Sequence, residues 1–85
     1  MAQGQVVFVS RNRGMIVVQH DVGFAVVELL GSEGEFQVGD VVRGQWDELG
    51  SEPVFKDGEE QDAYYQGNWG SLEKAITIAR NTGGG

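Results

Sequence analysis

The feature that most constrains this fold is a pair of β-branched apolar runs near the N-terminus, separated by a short polar turn. The runs occupy residues 6–9 and 16–18, and the turn Arg-Asn-Arg-Gly occupies residues 11–14. Apolar runs joined by a short loop containing Asn and Gly predict an antiparallel hairpin. We place its strands at about residues 5–10 and 15–20. Consecutive apolar positions indicate that both faces of the sheet are covered, which favours a closed barrel over a flat sheet.

The rest of the chain continues as short apolar runs punctuated by glycine, with 14 glycines and a single proline. We predict a third strand at about residues 24–30, a fourth at 41–47 and a fifth near 61–66. Between the last two lies a long acidic excursion, residues 48–60. This pattern predicts a mainly β protein, a small five-stranded antiparallel barrel.

The C-terminal segment has a different periodicity, which predicts a short helix over about residues 71–81. Apolar residues recur there at positions i, i+3, i+4 and i+7, namely Leu72, Ala75, Ile76 and Ala79. Ser71 is a good N-cap. The competing interpretation is a strand at 75–79, and we prefer the helix. Residues 1–82 would then form one domain, followed by a flexible tail at 83–85.

Composition narrows the function classes. The net charge is −7, and residues 28–62 hold eleven acidic against two basic residues, so the acidity belongs to the middle of the chain. Acidic proteins repel polyanions. The chain has no cysteine and one histidine, His20, which makes a zinc site improbable. Since no nucleophile, phosphate-binding or dinucleotide motif is present, we expect neither catalysis nor a cofactor. The absence of a signal segment or a spanning apolar run predicts a cytoplasmic protein with no membrane partner.

Several residues of the first half resemble those of cold-shock domains, a branch of the OB-fold barrels. Gly4, Val6 and Gly14 match that family's Gly-x-Val strand and following turn without a gap. Phe8 stands where the family has tryptophan, and Arg13 stands where it has lysine. Residues 24–28 and 38–42 are similar to its third strand and to the turn entering its fourth. The resemblance implies binding of single-stranded RNA or DNA on the first three strands.

The same comparison shows what this chain lacks. The positions that carry base-stacking aromatics in the family are here Met15, Val17, Val26 and Glu28. Stacking contributes roughly 1–3 kcal/mol per base, and aliphatic side chains lose most of it. The resemblance therefore assigns nucleic-acid binding to a smaller set of residues than the family uses. Its members are Phe8 and Phe24 for stacking, Met15 on the same face, and Arg11, Arg13 and Arg43 for phosphates. For Arg11 and Arg13 the alternative is an ordinary solvated hairpin tip.

Side-chain alternation predicts which residues form the core. Ile16, Val18, Ala25 and Val27 should point inward, and Met15, Val17, Phe24 and Val26 should share the outer face. That apolar outer face is either a partner site or, as we prefer, the surface covered by the C-terminal helix. Trp46, Tyr64, Tyr65 and Trp69 are expected to pack, with N–H or O–H groups finding partners.

Two functions are therefore expected, both of them non-enzymatic. The first is an OB-fold module that binds single-stranded nucleic acid. The second is an acidic module that binds a basic protein partner through residues 48–62 or through the apolar strand face. A helix lying across Met15, Val17 and Val26 would block the nucleic-acid platform and favour the second.

Overall fold

The computed structural model describes residues 2–31 and 35–81, and its secondary structure is mainly β. The elements are β1 (Ala2–Ser10), β2 (Met15–His20), β3 (Gly23–Leu29), β4 (Val41–Gly44), β5 (Gly50–Ser51), β6 (Val54–Lys56), β7 (Glu59–Gln61), β8 (Ala63–Trp69) and α1 (Leu72–Asn81). The prediction of a mainly β fold with one short C-terminal helix is confirmed. The tail expected at 83–85 lies outside the described residues.

The strands form one sheet that curls into a half-barrel, in the order β5-β8-β3-β2-β1-β4-β6-β7. The prediction of five strands is wrong, because the acidic excursion contains three short strands of its own. A hairpin turn at Asp57 and Gly58, both with positive φ (54° and 81°), lets β6 pair with β7. Such turns suit the twist of paired strands, and Asp and Gly tolerate the left-handed conformation. The polar composition of the excursion concealed these strands.

Further strand boundaries differ from the sequence prediction, and the fourth strand ends at Gly44 instead of 47. The first strand begins at Ala2 because Ala2 to Gln5 pair with β4, a partner that no local pattern reveals. The last strand extends to Trp69 because it pairs with β3 along its whole length. The second strand, Met15–His20, lies where it was predicted.

Register divides the strand residues between two apolar clusters, as alternation predicts. The inner cluster contains Ile16, Val18, Ala25 and Val27. Val54 and Tyr65 also belong to it, so both the excursion and β8 help to enclose the core. The outer cluster contains Met15, Val17 and Val26, with Phe24 packed against it.

Helix α1 covers the outer cluster. Ala75 and Ala79 are fully buried on Met15, Val17 and Val26, which are themselves 0% exposed. Two small side chains one helical turn apart let the helix lie close to the sheet. Ser71 caps its first turn by accepting a hydrogen bond from the Lys74 N–H at 3.2 Å. The outer face is therefore covered by the chain itself, as expected.

Candidate functional site

The outer sheet face is where the resemblance to cold-shock domains places the ligand. Met15, the first residue of β2, is fully buried in the cluster that α1 covers. Phe8 and Phe24 are half-buried at the margin of the same contact, and the Arg80 guanidinium lies 5.5 Å from the centroid of the Phe8 ring. The structure thus gathers Phe8, Met15 and Phe24 in one cluster. In that cluster they contact the protein's own helix.

Of the arginines predicted to hold phosphates, two lie in the β1–β2 turn and the third lies on β4. Arg11 is exposed at the hairpin, and its Nη2 donates a hydrogen bond to the Phe36 carbonyl at 3.3 Å. Arg13 is half-buried in the same turn. Arg43 lies on β4, exposed and paired in register with Phe55 of β6.

A ladder of three aromatic rings occupies one rim of the half-barrel. Trp46 stacks on Tyr65, with 5.7 Å between ring centroids, and His20 stacks on Trp46 at 6.1 Å. The interplanar angles are 18° and 24°. Offset stacking at this separation is the favoured geometry for aromatic pairs. We call the ladder and the residues around its outer end the His20 rim.

Hydrogen bonds fix each ring of this ladder. The Trp46 indole donates to the Ala2 carbonyl at 2.9 Å, and the Tyr65 hydroxyl donates to the Pro53 carbonyl at 2.7 Å. The Asn68 amide nitrogen donates to the Trp46 carbonyl. Its oxygen therefore faces His20 Nε2, 2.6 Å away, which must be the donor. The expectation that Trp46 and Tyr65 pack with satisfied polar atoms is confirmed, whereas Tyr64, which was expected to pack as well, is 44% exposed.

Two glycines leave the space that the ladder needs. A Cβ on Gly44 would meet the Tyr65 hydroxyl and lie 2.9 Å from Trp46 ring atoms. A Cβ on Gly4 would meet a Val18 methyl group and lie 3.3 Å from the Trp46 ring. Both strands must therefore carry glycine where the rings pass. Burial in this packing raises the pKa of Tyr65 to about 12, and the nearby Glu52 acts in the same direction.

The His20 rim borders a cavity of about 400 Å³. His20 and Trp46 line it together with Asp21 and Val22 of the β2–β3 turn and Asp47 after β4. Val22 is 78% exposed, and both aspartates are exposed. No described cation forms a salt bridge with either aspartate. The cavity thus combines an aromatic surface with two carboxylates available to a ligand.

A second cavity, of about 340 Å³, lies at the end of β3 and β8 that is opposite the His20 rim. The two edge strands of the sheet, β5 and β7, come near each other there. We call it the acidic cleft. Its carboxylates are Glu52, Glu60 and Asp62, and its apolar lining is Leu30, Pro53 and Ala63. Leu30 is 49% exposed.

Asp40, unlike the carboxylates of the acidic cleft, forms a salt bridge with a lysine. Lys56 Nζ lies 3.0 Å from Asp40 Oδ2, which also accepts the Gln37 N–H at 2.9 Å. The Gln37 hydrogen bond and then Lys56 hold the pKa of Asp40 below its usual value. None of the described lysines and arginines forms a salt bridge with a carboxylate of the cleft.

Residues 2–31 and 35–81 contain neither a metal-binding cluster nor a membrane-spanning helix. That part of the chain has no group of three or more His, Cys, Asp or Glu placed to share a metal ion. It also has no helix that is both long and apolar enough to cross a bilayer.

Comparison with known proteins assigns neither a family nor a function to this chain. No family model, curated protein or solved structure matches this chain. The resemblance to cold-shock domains therefore stays a prediction.

Sequence analysis missed both the His20 rim and the acidic cleft. The cleft residues Glu52 and Glu60 were identified only as part of an acidic excursion, because their arrangement depends on how β6 and β7 fold back. His20 and Trp46 are 26 positions apart in the sequence, and no local motif links them. The only available signal was compositional, the aromatic residues among glycines.

Proposed function

We propose that this protein is a non-enzymatic binding module whose ligand is a basic segment of another polypeptide. The acidic cleft carries this proposal. Glu52, Glu60 and Asp62 surround a cavity that also offers Leu30 and Pro53. Lysine and arginine have long aliphatic stems with a charged end, so their stems can pack on the apolar lining while the charge meets the carboxylates.

The charge of the whole chain supports the same class of ligand. A net charge of −7 attracts cationic partners over a distance and raises their association rate at low salt. The described residues that line the cleft include no lysine, arginine or histidine. A basic side chain entering it therefore meets no repulsion from the lining.

Single-stranded nucleic acid, the ligand implied by the resemblance, is less well supported by this geometry. Stacking needs exposed rings, yet Phe8 and Phe24 are half-buried against α1 and Met15 is fully buried. An oligonucleotide would have to displace the helix and overcome the negative charge of the protein. We therefore retain it as the rival outcome of the experiment.

The test is a titration of a fluorescently labelled lysine- and arginine-rich peptide, with an oligothymidylate titrated in parallel, both followed by anisotropy at several salt concentrations. A triple variant, Glu52→Gln, Glu60→Gln and Asp62→Asn, removes the cleft charges. We expect its affinity for the peptide to fall about tenfold, as three partly exposed ion pairs would give.

A matched triple variant, Glu48→Gln, Asp57→Asn and Glu73→Gln, removes the same charge outside the cleft. We expect it to keep most of the affinity. Equal losses in the two triple variants would reduce the effect to net charge and refute a specific cleft. Tight binding of the oligonucleotide together with no binding of the peptide would favour the nucleic-acid function instead.

A further inference from the structure

The aromatic ladder at the His20 rim ends on a ring that solvent can reach. Tyr65 and Trp46 are 2% and 4% exposed, whereas His20 is only partly buried. Trp46 covers one face of the imidazole, and Asn68 occupies its Nε2. The ring lines the rim cavity together with Trp46.

Two carboxylates border the same cavity from separate loops. Asp21 follows His20 in the β2–β3 turn, and Asp47 follows Trp46 by one residue after β4. Both side chains are exposed. Asp21 and Asp47 neighbour the stacked His20 and Trp46 in the chain, and both line the same cavity as that pair. A cationic group in the cavity would have carboxylates as acceptors and an aromatic face for stacking.

We propose that the His20 rim binds the guanidinium group of an arginine side chain. In the rim cavity the planar group stacks on the imidazole of His20, and its N–H groups donate to Asp21 and Asp47. The inference takes from the proposed function only that the ligand belongs to a polypeptide. Its location is independent, because the rim and the acidic cleft lie at opposite ends of β3.

The chemistry of the rim selects guanidinium over other groups. Guanidinium is planar, is weakly hydrated for a cation, stacks on aromatic faces and presents five donors, so it can use the ring and both carboxylates together. An ammonium group is a compact, strongly hydrated charge and gains less from a flat ring. A nucleobase could stack on His20, but its phosphates would meet the two aspartates.

The experiment is an NMR titration of the ¹⁵N-labelled protein with the blocked tripeptide Gly-Arg-Gly. The protein has two indole N–H groups, and they serve as reporter and internal reference. Trp46 belongs to the rim, whereas Trp69 packs in the outer cluster near α1. We expect the resonances of Trp46 and His20 to shift and that of Trp69 to stay. Peptides with lysine or citrulline in place of arginine test charge and planarity separately, and both should bind more weakly.

Variants locate the site. Asp21→Asn and Asp47→Asn should each weaken binding by at least about twofold, within the range for exposed ion pairs. Asp57→Asn removes the same charge elsewhere and should change nothing. His20→Ala should abolish the shift, and His20→Phe, which keeps an aromatic ring, should restore part of it.

The outcomes separate this inference from the proposed function. If basic peptides bind and depend on the acidic cleft while Trp46 does not shift, the rim site is wrong and the proposed function stands. If the arginine tripeptide shifts the Trp46 resonance while the cleft variants bind peptide like the wild type, the rim site stands and the proposed function of the acidic cleft is wrong. If the citrulline peptide binds as tightly as the arginine peptide, a positive charge is not required and the assignment of a cationic ligand is overturned. Free agmatine binding more tightly than the peptide would overturn the polypeptide source.

Discussion

The substitution Gly44→Ala tests the packing of the aromatic ladder most directly. Gly44 is fully paired in the sheet, between Ala2 of β1 and Val54 of β6. Its φ angle is not among the positive values, so alanine is compatible with the backbone. The space is not compatible, because a Cβ would meet the Tyr65 hydroxyl and lie 2.9 Å from Trp46 ring atoms.

The expected magnitude follows from three contributions. Overpacking a tight core costs about 1–3 kcal/mol. Tyr65 can yield only by moving its hydroxyl away from the Pro53 carbonyl, 2.7 Å distant, and loss of that hydrogen bond costs about 1 kcal/mol more. Replacing glycine in a strand recovers about 0.5–1 kcal/mol of backbone entropy. The net prediction is a loss of about 1–3.5 kcal/mol in the free energy of unfolding.

Urea unfolding followed by tryptophan fluorescence measures this loss as a lower midpoint at an unchanged slope. Gly70→Ala is the matched control, because Gly70 has no atom within 4 Å of its ideal Cβ and no positive φ. It should change stability by less than about 0.5 kcal/mol.

A double-mutant cycle identifies the cause. In a Tyr65→Phe background the hydroxyl is absent, so Gly44→Ala should cost less, with a coupling of at least about 0.5 kcal/mol. Wild-type stability of Gly44→Ala, or strict additivity with Tyr65→Phe, would refute the proposed packing.

Three further predictions concern α1 and the pH dependence of stability. Ala79→Asp buries an unpaired charge under the helix and should lower the free energy of unfolding by at least about 2 kcal/mol. Hydrogen exchange in α1 should become faster as well. The control Thr77→Asp, at an exposed position of the same helix, should lower the free energy of unfolding by less than about 1 kcal/mol. Asp40 has a lowered pKa, so its contribution to stability is present above pH 3.8 and is lost as pH falls through the lowered value; urea midpoints of Asp40→Asn should show a weaker acid dependence than wild type. Tyr65 has a raised pKa, so its contribution is complete below its ordinary value of 10.0 and is lost as pH rises toward about 12, a dependence that Tyr65→Phe should remove.

The outer sheet face shows how far sequence reasoning can reach. Alternation correctly assigned Met15, Val17 and Val26 to one face, and helical periodicity correctly placed Ala75 and Ala79 on one stripe. An apolar sheet face and an apolar helix stripe in one small domain are expected to pack against each other, because neither is stable when exposed to water. For that reason their contact was anticipated.

The short strands of the excursion show where local patterns fail. Glu59 and Glu60 have low strand propensity, yet they pair with Lys56 and Phe55 because the Asp57-Gly58 turn brings them alongside. Their pairing depends on a neighbouring strand that is itself docked on β4. The strand count, and with it the acidic cleft, could not be obtained from residue types alone.

The amino-acid order by itself determined the elements that depend on local periodicity: the N-terminal hairpin, the inward and outward sets of β2 and β3, and the capped helix at the C-terminus. Only the tertiary structure decided which distant groups meet, such as His20 with Trp46 and Asn68, or Glu52 with Glu60. Local patterns act over a few residues and specify side-chain direction, whereas a site requires several chain segments to converge. That convergence is set by strand register and by the space that Gly4 and Gly44 leave open for the rings.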